Sequence, residues 1–216
     1  MDRRALALFD FDGTLLRGDS IISFVRFARA RKAMTRRDFA GACLYGALAS
    51  LRLSGAARAK QKALAFLFRM PSGDADALCE SFARQALLPA LYPAGLDALR
   101  SHAAAGDIVL LVTASPERYM RPLAAALPVS GLIATVTGPD GAITQNCRGE
   151  NKLKRIHEWL FGSGVSADFA ASHAYGNSAG DLPMLRLAGR PHLVNPSRAL
   201  RRRAPGMDVL HWDGKR

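Results

Sequence analysis

Ala5-Leu-Ala-Leu-Phe-Asp10-Phe-Asp12-Gly13-Thr14 sets the frame for the whole chain. The apolar run predicts a buried strand, and the Asp-x-Asp-Gly after it breaks that strand into a turn. Two carboxylates two residues apart at a buried strand end repel each other unless a cation compensates them. Gly13 permits tight backbone approach. Carboxylate and carbonyl oxygens suit Mg²⁺, which keeps waters and substrate phosphate oxygens in its shell. A surface turn capped by an aspartate is the plainer alternative, and the apolar run before it argues against that.

Downstream, Ile21, Ile22, Phe24, Val25, Phe27 and Ala28 recur at helical spacing. Helices are expected near Arg36–Leu53, Ala56–Arg69 and Asp74–Leu88. No strand-like run interrupts them. Residues 18–90 therefore read as an all-helical insert, with 1–17 and 91–216 forming an α/β core. After Tyr92-Pro93 helices and strands alternate. Leu96–Ala105 is helical, and Asp107–Val112 is a continuous apolar run typical of a parallel strand buried on both faces. Ser115 is expected to cap the next helix, with Pro116 at its first position. Leu132–Val136 reads as a strand, and a turn at 138–141 leads into Ala142–Asn146. Glu150–Phe161 is helical, His173–Gly176 a short strand, and Asp181–Ala188 a helix with Asp181 as its cap. His192–Asn195 and Val209–Trp212 read as strands flanking a helix at Ser197–Arg203. The fold class is α/β: a doubly wound, Rossmann-like parallel sheet with a small all-helical cap inserted after the first strand. In such folds ligands sit beyond the carboxyl ends of strands. Asp10 and Asp12 follow the first strand, Thr113 follows Asp107–Val112, and Asn177 and Asp181 follow His173–Gly176.

The chain has 216 residues, enough to bury a core without disulfides or structural metal. Its net charge of +12 is unevenly placed: residues 1–70 hold 14 basic and 5 acidic side chains, 71–150 hold 5 and 8, and 151–216 hold 11 and 5. Such a balance suits anionic partners: nucleic acid, membrane surfaces or phosphorylated small molecules. The basic tracts Arg26–Arg37 and Arg201–Arg203 lack interleaved aromatics for base stacking, which makes nucleic acid an unlikely partner. They read as a solvated face that steers anions. Cys43, Cys79 and Cys147 form no CxxC pair, the histidines lack metal-ligand spacing, and acids interrupt the N-terminal apolar run. The longest apolar stretch, Phe39–Leu53, is shorter than the ~18 residues a membrane span needs. A cytoplasmic protein without a membrane span, monomer or homodimer, is the expectation.

Four segments in order resemble the haloacid dehalogenase (HAD) superfamily of phosphohydrolases: Asp10-Phe-Asp-Gly-Thr14, Val112-Thr-Ala-Ser115, Gly149-Glu-Asn-Lys152 and Gly176-Asn-Ser-Ala-Gly-Asp181. The helical insert, Asn146–Lys152 and the ending Leu193-Val-Asn-Pro196 look like the phosphoserine-phosphatase-like branch, subfamily IB. The resemblance implies a Mg²⁺-dependent phosphomonoester hydrolase. Asp10 would be the nucleophile that forms an aspartyl-phosphate. Asp12 would be the general acid and base, lending its backbone carbonyl to the metal. Thr113 would donate to the phosphoryl group, and its hydroxyl could otherwise cap the next helix. Spacing alone leaves Lys152 and Lys154 open as the phosphate-binding lysine; the resemblance selects Lys152. Metal ligands would be Asp10, Asp12, Asn177 and Asp181. Relatives most often carry an acid where Asn177 stands, so weaker Mg²⁺ affinity is expected. Gly13, Thr14, Ala114 and Ser115 would line the phosphate site. Asp19 aligns with the acid that meets the substrate amine in phosphoserine phosphatases, and it is also a natural cap for the next helix. Arg52 and Arg58 could meet a second anionic group on the substrate, though each reads more readily as a surface charge. A small phosphoserine-like metabolite leads the substrate list, with histidinol phosphate, phosphocholine and lysophospholipids behind it; the apolar stretch Phe39–Leu53 could line a greasy substrate pocket, and core packing explains it equally well. A phosphotransferase, or a weakly active HAD scaffold that binds nucleic acid or acidic lipid, is the alternative.

Overall fold

A computed structural model describes residues 3–51 and 53–214, so Arg52 lies outside the described residues. The apolar run forms β1 (Arg4–Phe9), the centre of a seven-stranded sheet. The other strands are β2 (Ile108–Pro116), β3 (Gly131–Thr137), β4 (Ile143–Gln145), β5 (Ala167–Gly176), β6 (Arg190–Val194) and β7 (Asp208–Leu210), in the order β4-β3-β2-β1-β5-β6-β7. Every pairing is parallel except β3 with β4. Alternation along β1 and β2 separates two cores. Ala7, Phe9, Val109 and Leu111 face one, and Leu6, Leu8, Ile108 and Leu110 face the other. The first is covered by α5 (Pro93–Ala104) and α6 (Glu117–Ala125) together with helices from residues 20–90, and the second by α7 (Glu150–Ser163), α8 (Leu182–Leu187) and α9 (Arg198–Arg203). The sheet is thus doubly wound, with both faces buried.

Between β1 and α5 the described chain is helical: α1 (Ser20–Ala30), α2 (Arg36–Ser50), α3 (Ala56–Leu64) and α4 (Ser72–Phe82). The expected long helices break earlier than the apolar pattern suggests. A 3₁₀ turn at Leu67–Arg69 follows α3, and a π turn at Ala83–Leu87 extends α4. The block leaves and rejoins the sheet side by side: Tyr92 N–H donates to Leu15 O at 2.9 Å and Arg17 N–H to Ala90 O at 3.1 Å.

Three further expectations need correction. β5 begins at Ala167, not His173: Ala167 and Asp168 already pair with β1, the Asp168 side chain then accepts the Ala170 and Ala171 N–H groups in a bulge, and pairing resumes at His173. β2 runs on to Pro116, so Thr113 lies within the strand, inside the stretch between Val112 and Pro116 where the register shifts. Ser115 does not cap α6, which begins at Glu117 without a side-chain cap.

Three histidines stack beside Tyr175 on one face. His102 bonds Asp107 at 2.7 Å and the Tyr175 hydroxyl at 2.8 Å, and His173 bonds His192 at 3.0 Å. Burial first, then the neighbouring His102 and His192, push His173 down to about 4. The native state therefore refuses a proton that the unfolded chain accepts near pH 6.5. Stability should fall as pH drops from about 6.5 towards about 4. Urea midpoints measured across that window should show a shallower fall for His173→Gln; an identical slope would remove His173 as the cause.

Candidate active site

Asp10 caps the carboxyl end of β1, its N–H donating to Tyr175 O at 2.9 Å. Phe11 turns into the core, and Asp10 and Asp12 both open onto one cavity. Gly13 has φ 76°, and a Cβ there would stand 1.9 Å from Asn177 Nδ2. Only glycine lets the loop after β1 touch the loop after β5.

Lys152 joins the strand ends. Its Nζ donates to Asp10 Oδ1 at 2.6 Å, to Asp181 Oδ1 at 2.7 Å and to Val112 O at 2.8 Å. Lys152, Ile156 and Leu160 form the buried stripe of α7, which places this ammonium inside. Lys154 is exposed beside Glu158, and Arg155 donates to Ala134 O. The spare carboxylate oxygens are also held. Thr14 Oγ1 donates to Asp10 Oδ2 at 2.9 Å. Ser178 N–H and Oγ donate to Asp181 Oδ2 at 2.9 and 2.7 Å. Asp181 therefore reaches back to Ser178 in a reciprocal capping arrangement, and α8 starts without a side-chain cap from it, contrary to expectation.

Asp12 is held from the helical block and from β2. Its Oδ1 accepts the Ser20 N–H at 2.6 Å, and its Oδ2 accepts the Ser115 hydroxyl. Ser115 Oγ lies 2.7 Å from Ser20 Oγ, which lies 2.9 Å from the Tyr119 hydroxyl. Ser115 thus orients Asp12 and does not cap a helix. Burial pushes the Asp12 carboxyl up, and the Ser115 and Ser20 hydrogen bonds offset only part of that. Burial and the Asp181 charge also raise Asp10. Burial alone would raise Asp181 as well, but Lys152 outweighs it and holds Asp181 low. Burial alone would lower Lys152, yet the two carboxylates raise it.

The cavity measures about 740 Å³. Asp10, Asp12, Asp19, Ala114, Ser115, Lys152, Asn177 and Asp181 are on its wall, whereas Gly13, Thr14 and Thr113 are not. Thr113 is fully buried, and its Oγ1 accepts the Ser115 N–H at 2.9 Å. That bond leaves the hydroxyl proton available to donate. Asp19 is exposed at the rim and caps α1 by accepting the Ile22 N–H at 3.0 Å. Arg58 is exposed and lies over the Tyr45 ring, away from the carboxylates. Among the described residues no three His, Cys, Asp or Glu converge as metal ligands. A cation site here must recruit neutral oxygens, and Asn177 and the backbone carbonyls supply that donor type.

Two contributors escaped the sequence. Lys60 of α3 is buried, and its Nζ donates to Ala114 O and to Asn146 Oδ1 at 3.2 Å, tying the helical block to β2. Burial pulls its ammonium down to about 8. Its signal was present: Lys60, Ala63 and Leu64 share the buried face of α3. Tyr119 gave no signal, because an aromatic on the apolar face of α6 reads as ordinary core.

Residues 7–186 match the family model described as haloacid dehalogenase-like hydrolase. The chain is 28% identical over 229 residues to a histidinol-phosphatase of Neisseria meningitidis serogroup C (strain 8013), covering 96% of this chain and 98% of that protein. It is 31% identical over 213 residues to phosphoserine phosphatase SerB1 of Mycobacterium tuberculosis (strain ATCC 25618 / H37Rv), covering 93% of this chain and 68% of that protein. A solved structure of a protein with unknown function from Bordetella pertussis Tohama I matches with a TM-score of 0.86 and 31% identity, covering 98% of this chain and all of that one. Among the described residues, no helix is long and apolar enough to cross a membrane.

Proposed function

The chain belongs to the haloacid dehalogenase-like hydrolase family, and on that premise we propose that it hydrolyses a small phosphorylated metabolite, a phosphomonoester, through an aspartyl-phosphate on Asp10. One observation carries this: Asp10 and Asp12 open onto one cavity, Asp10 tied to a buried lysine and Asp12 held by the Ser115 hydroxyl and the Ser20 N–H. An Asp10 oxygen attacks phosphorus, and the bond from phosphorus to the ester oxygen breaks. Asp12, whose raised carboxyl holds a proton more readily than a free aspartate, gives that proton to the departing alcohol. Asp12 then takes a proton from a water that attacks the same phosphorus, freeing Asp10 and phosphate. Lys152 holds Asp10 in place and neutralises charge on the transferring group. Helices α1 to α4 act as a cap that excludes water, with Lys60 fastening it to β2.

The residues fit Mg²⁺. Asp10, Asp181 and Asp12 face Lys152 and Lys60 in a site that burial makes costly for anions, and a divalent ion would hold Asp10 ionised. An Asp10 oxygen, the Asp12 carbonyl and Asn177 Oδ1 would hold it, with Asp181, whose oxygens accept from Lys152 and Ser178, adding compensating charge directly or through water. It would supply positive charge to the phosphoryl oxygens. The test is phosphate release from a panel of phosphomonoesters after EDTA treatment, with Mg²⁺ then added back. Activity should vanish and return. Asn177→Asp should lower the apparent Mg²⁺ constant, because a carboxylate replaces a neutral oxygen. Activity indifferent to EDTA would remove the metal, and an unchanged constant would remove Asn177 from its ligands.

A further inference from the structure

Three helices leave the same space open. On α2, Phe39, Ala42, Gly46 and Ala49 recur at spacings of three, four and three, one inward stripe. Yet only Ala42 is buried on that helix, because the stripe faces the cavity and not packed core. Val25 of α1 and Ala59 of α3 face it from the other two sides. Ala42, Gly46, Ala49 and Ala59 are small where a packed interface would carry leucine, so the cavity persists between the helices and runs on to Asp10 and Asp12. The charged groups on its wall belong to the carboxylate end or the rim: Lys60 is occupied by Ala114 O and Asn146, and Asp19, Arg26 and Arg148 are exposed. Asp12, the group placed to protonate the departing alcohol, stands where the polar end meets the apolar chamber.

We infer that the chamber receives the alcohol part of the substrate, and that this alcohol is an apolar chain or ring: the enzyme takes alkyl or aryl phosphates in preference to phosphoserine. The inference rests on the hydrolase reading above. An amino acid would bring an ammonium and a carboxylate into a wall that offers them no buried partner. An alkyl chain would gain from each methylene removed from water.

The test is kcat/KM for butyl, octyl and phenyl phosphate against O-phosphoserine, below micelle-forming concentrations. Each fully buried methylene is worth about fourfold, so octyl should exceed butyl phosphate by at least about tenfold even with partial burial. Gly46→Leu fills the chamber from α2. Nothing lies within 4 Å of a Cβ at that position, and leucine is the better helix former, so the variant should fold. It should cut the octyl-to-butyl ratio about tenfold. Equal turnover of butyl and octyl phosphate, preference for O-phosphoserine, or a ratio unmoved by Gly46→Leu would overturn the inference and leave the hydrolase reading standing. Calorimetric Kd values for the same alkyl phosphates on Asp10→Asn separate the two. If no ester is turned over but octyl phosphate still binds more tightly than butyl, the hydrolase reading fails and the chamber assignment survives. No turnover and no length dependence sinks both.

Discussion

Asp10→Asn should lower kcat by roughly 10⁴–10⁶-fold, the scale seen when a covalent nucleophile is deleted. The amide oxygen can still accept from Lys152, so geometry is largely retained. Its nitrogen cannot attack phosphorus as the carboxylate does. The fold should survive, because the change removes a buried charge that Asp181 opposes and leaves the Lys152–Asp181 pair at 2.7 Å in place. Melting temperature should therefore stay within a few degrees of the parent, or rise. Acid quench of the parent during turnover should show a phosphate mass on the peptide that holds Asp10, and the variant should show none. Retention of more than about a hundredth of parental turnover by a homogeneous variant would place the nucleophile elsewhere.

The parts of this site that were legible in sequence are those where one residue type has one physical use. Two aspartates after an apolar run have few other homes than a cation-binding strand end. Lys152 was legible by resemblance alone, since spacing left it level with Lys154 until the structure put it with Ile156 and Leu160 on the inward stripe of α7. The β1 and β2 runs were legible because both of their faces are buried. What stayed hidden depends on geometry that alternation does not encode. The Asp168 bulge interrupts β5 in a segment, Ala167-Asp-Phe-Ala-Ala-Ser172, with no strand signature. Ser115 satisfied the rule for a helix cap, but strand pairing of Pro116 with Thr135 carried β2 past it and turned its hydroxyl to Asp12. The apolar chamber was legible only as one of two equal readings of Phe39–Leu53, pocket lining or core packing, since a stripe of Phe39, Ala42, Gly46 and Ala49 reads the same whether it meets a neighbour or an open space.

Lys152→Met should be the most damaging substitution to both stability and turnover. The lysine is 1% exposed and makes all three of its hydrogen bonds within the site. Without it, and with Mg²⁺ withheld, Asp10 and Asp181 share a buried space with no cation between them. Removing one partner of a buried pair costs about 3–5 kcal/mol, so a marginal domain loses much of its stability. The loss should depend on pH with a definite sign. In the variant both carboxyls are pushed up, so the native state holds protons that the unfolded chain releases above about 3.9. Stability then falls as pH rises, and the gap between variant and parent should be widest near pH 8 and narrow towards pH 5. Comparing the two proteins at each pH cancels the opposite contribution of His173, which is common to both. Adding Asp181→Asn to Lys152→Met should recover a large part of the stability, because only Asp10 is left to titrate. It should recover none of the turnover, since Asp10 still lacks the group that holds it and that meets the phosphoryl oxygens. Chemical denaturation at pH 5 and pH 8 in EDTA, with phosphate release on the same samples after Mg²⁺ is added back, reads all of this. A variant as destabilised at pH 5 as at pH 8 would show that Lys152 contributes by packing and not by charge. A double variant that regains activity with stability would make Lys152 a structural residue alone.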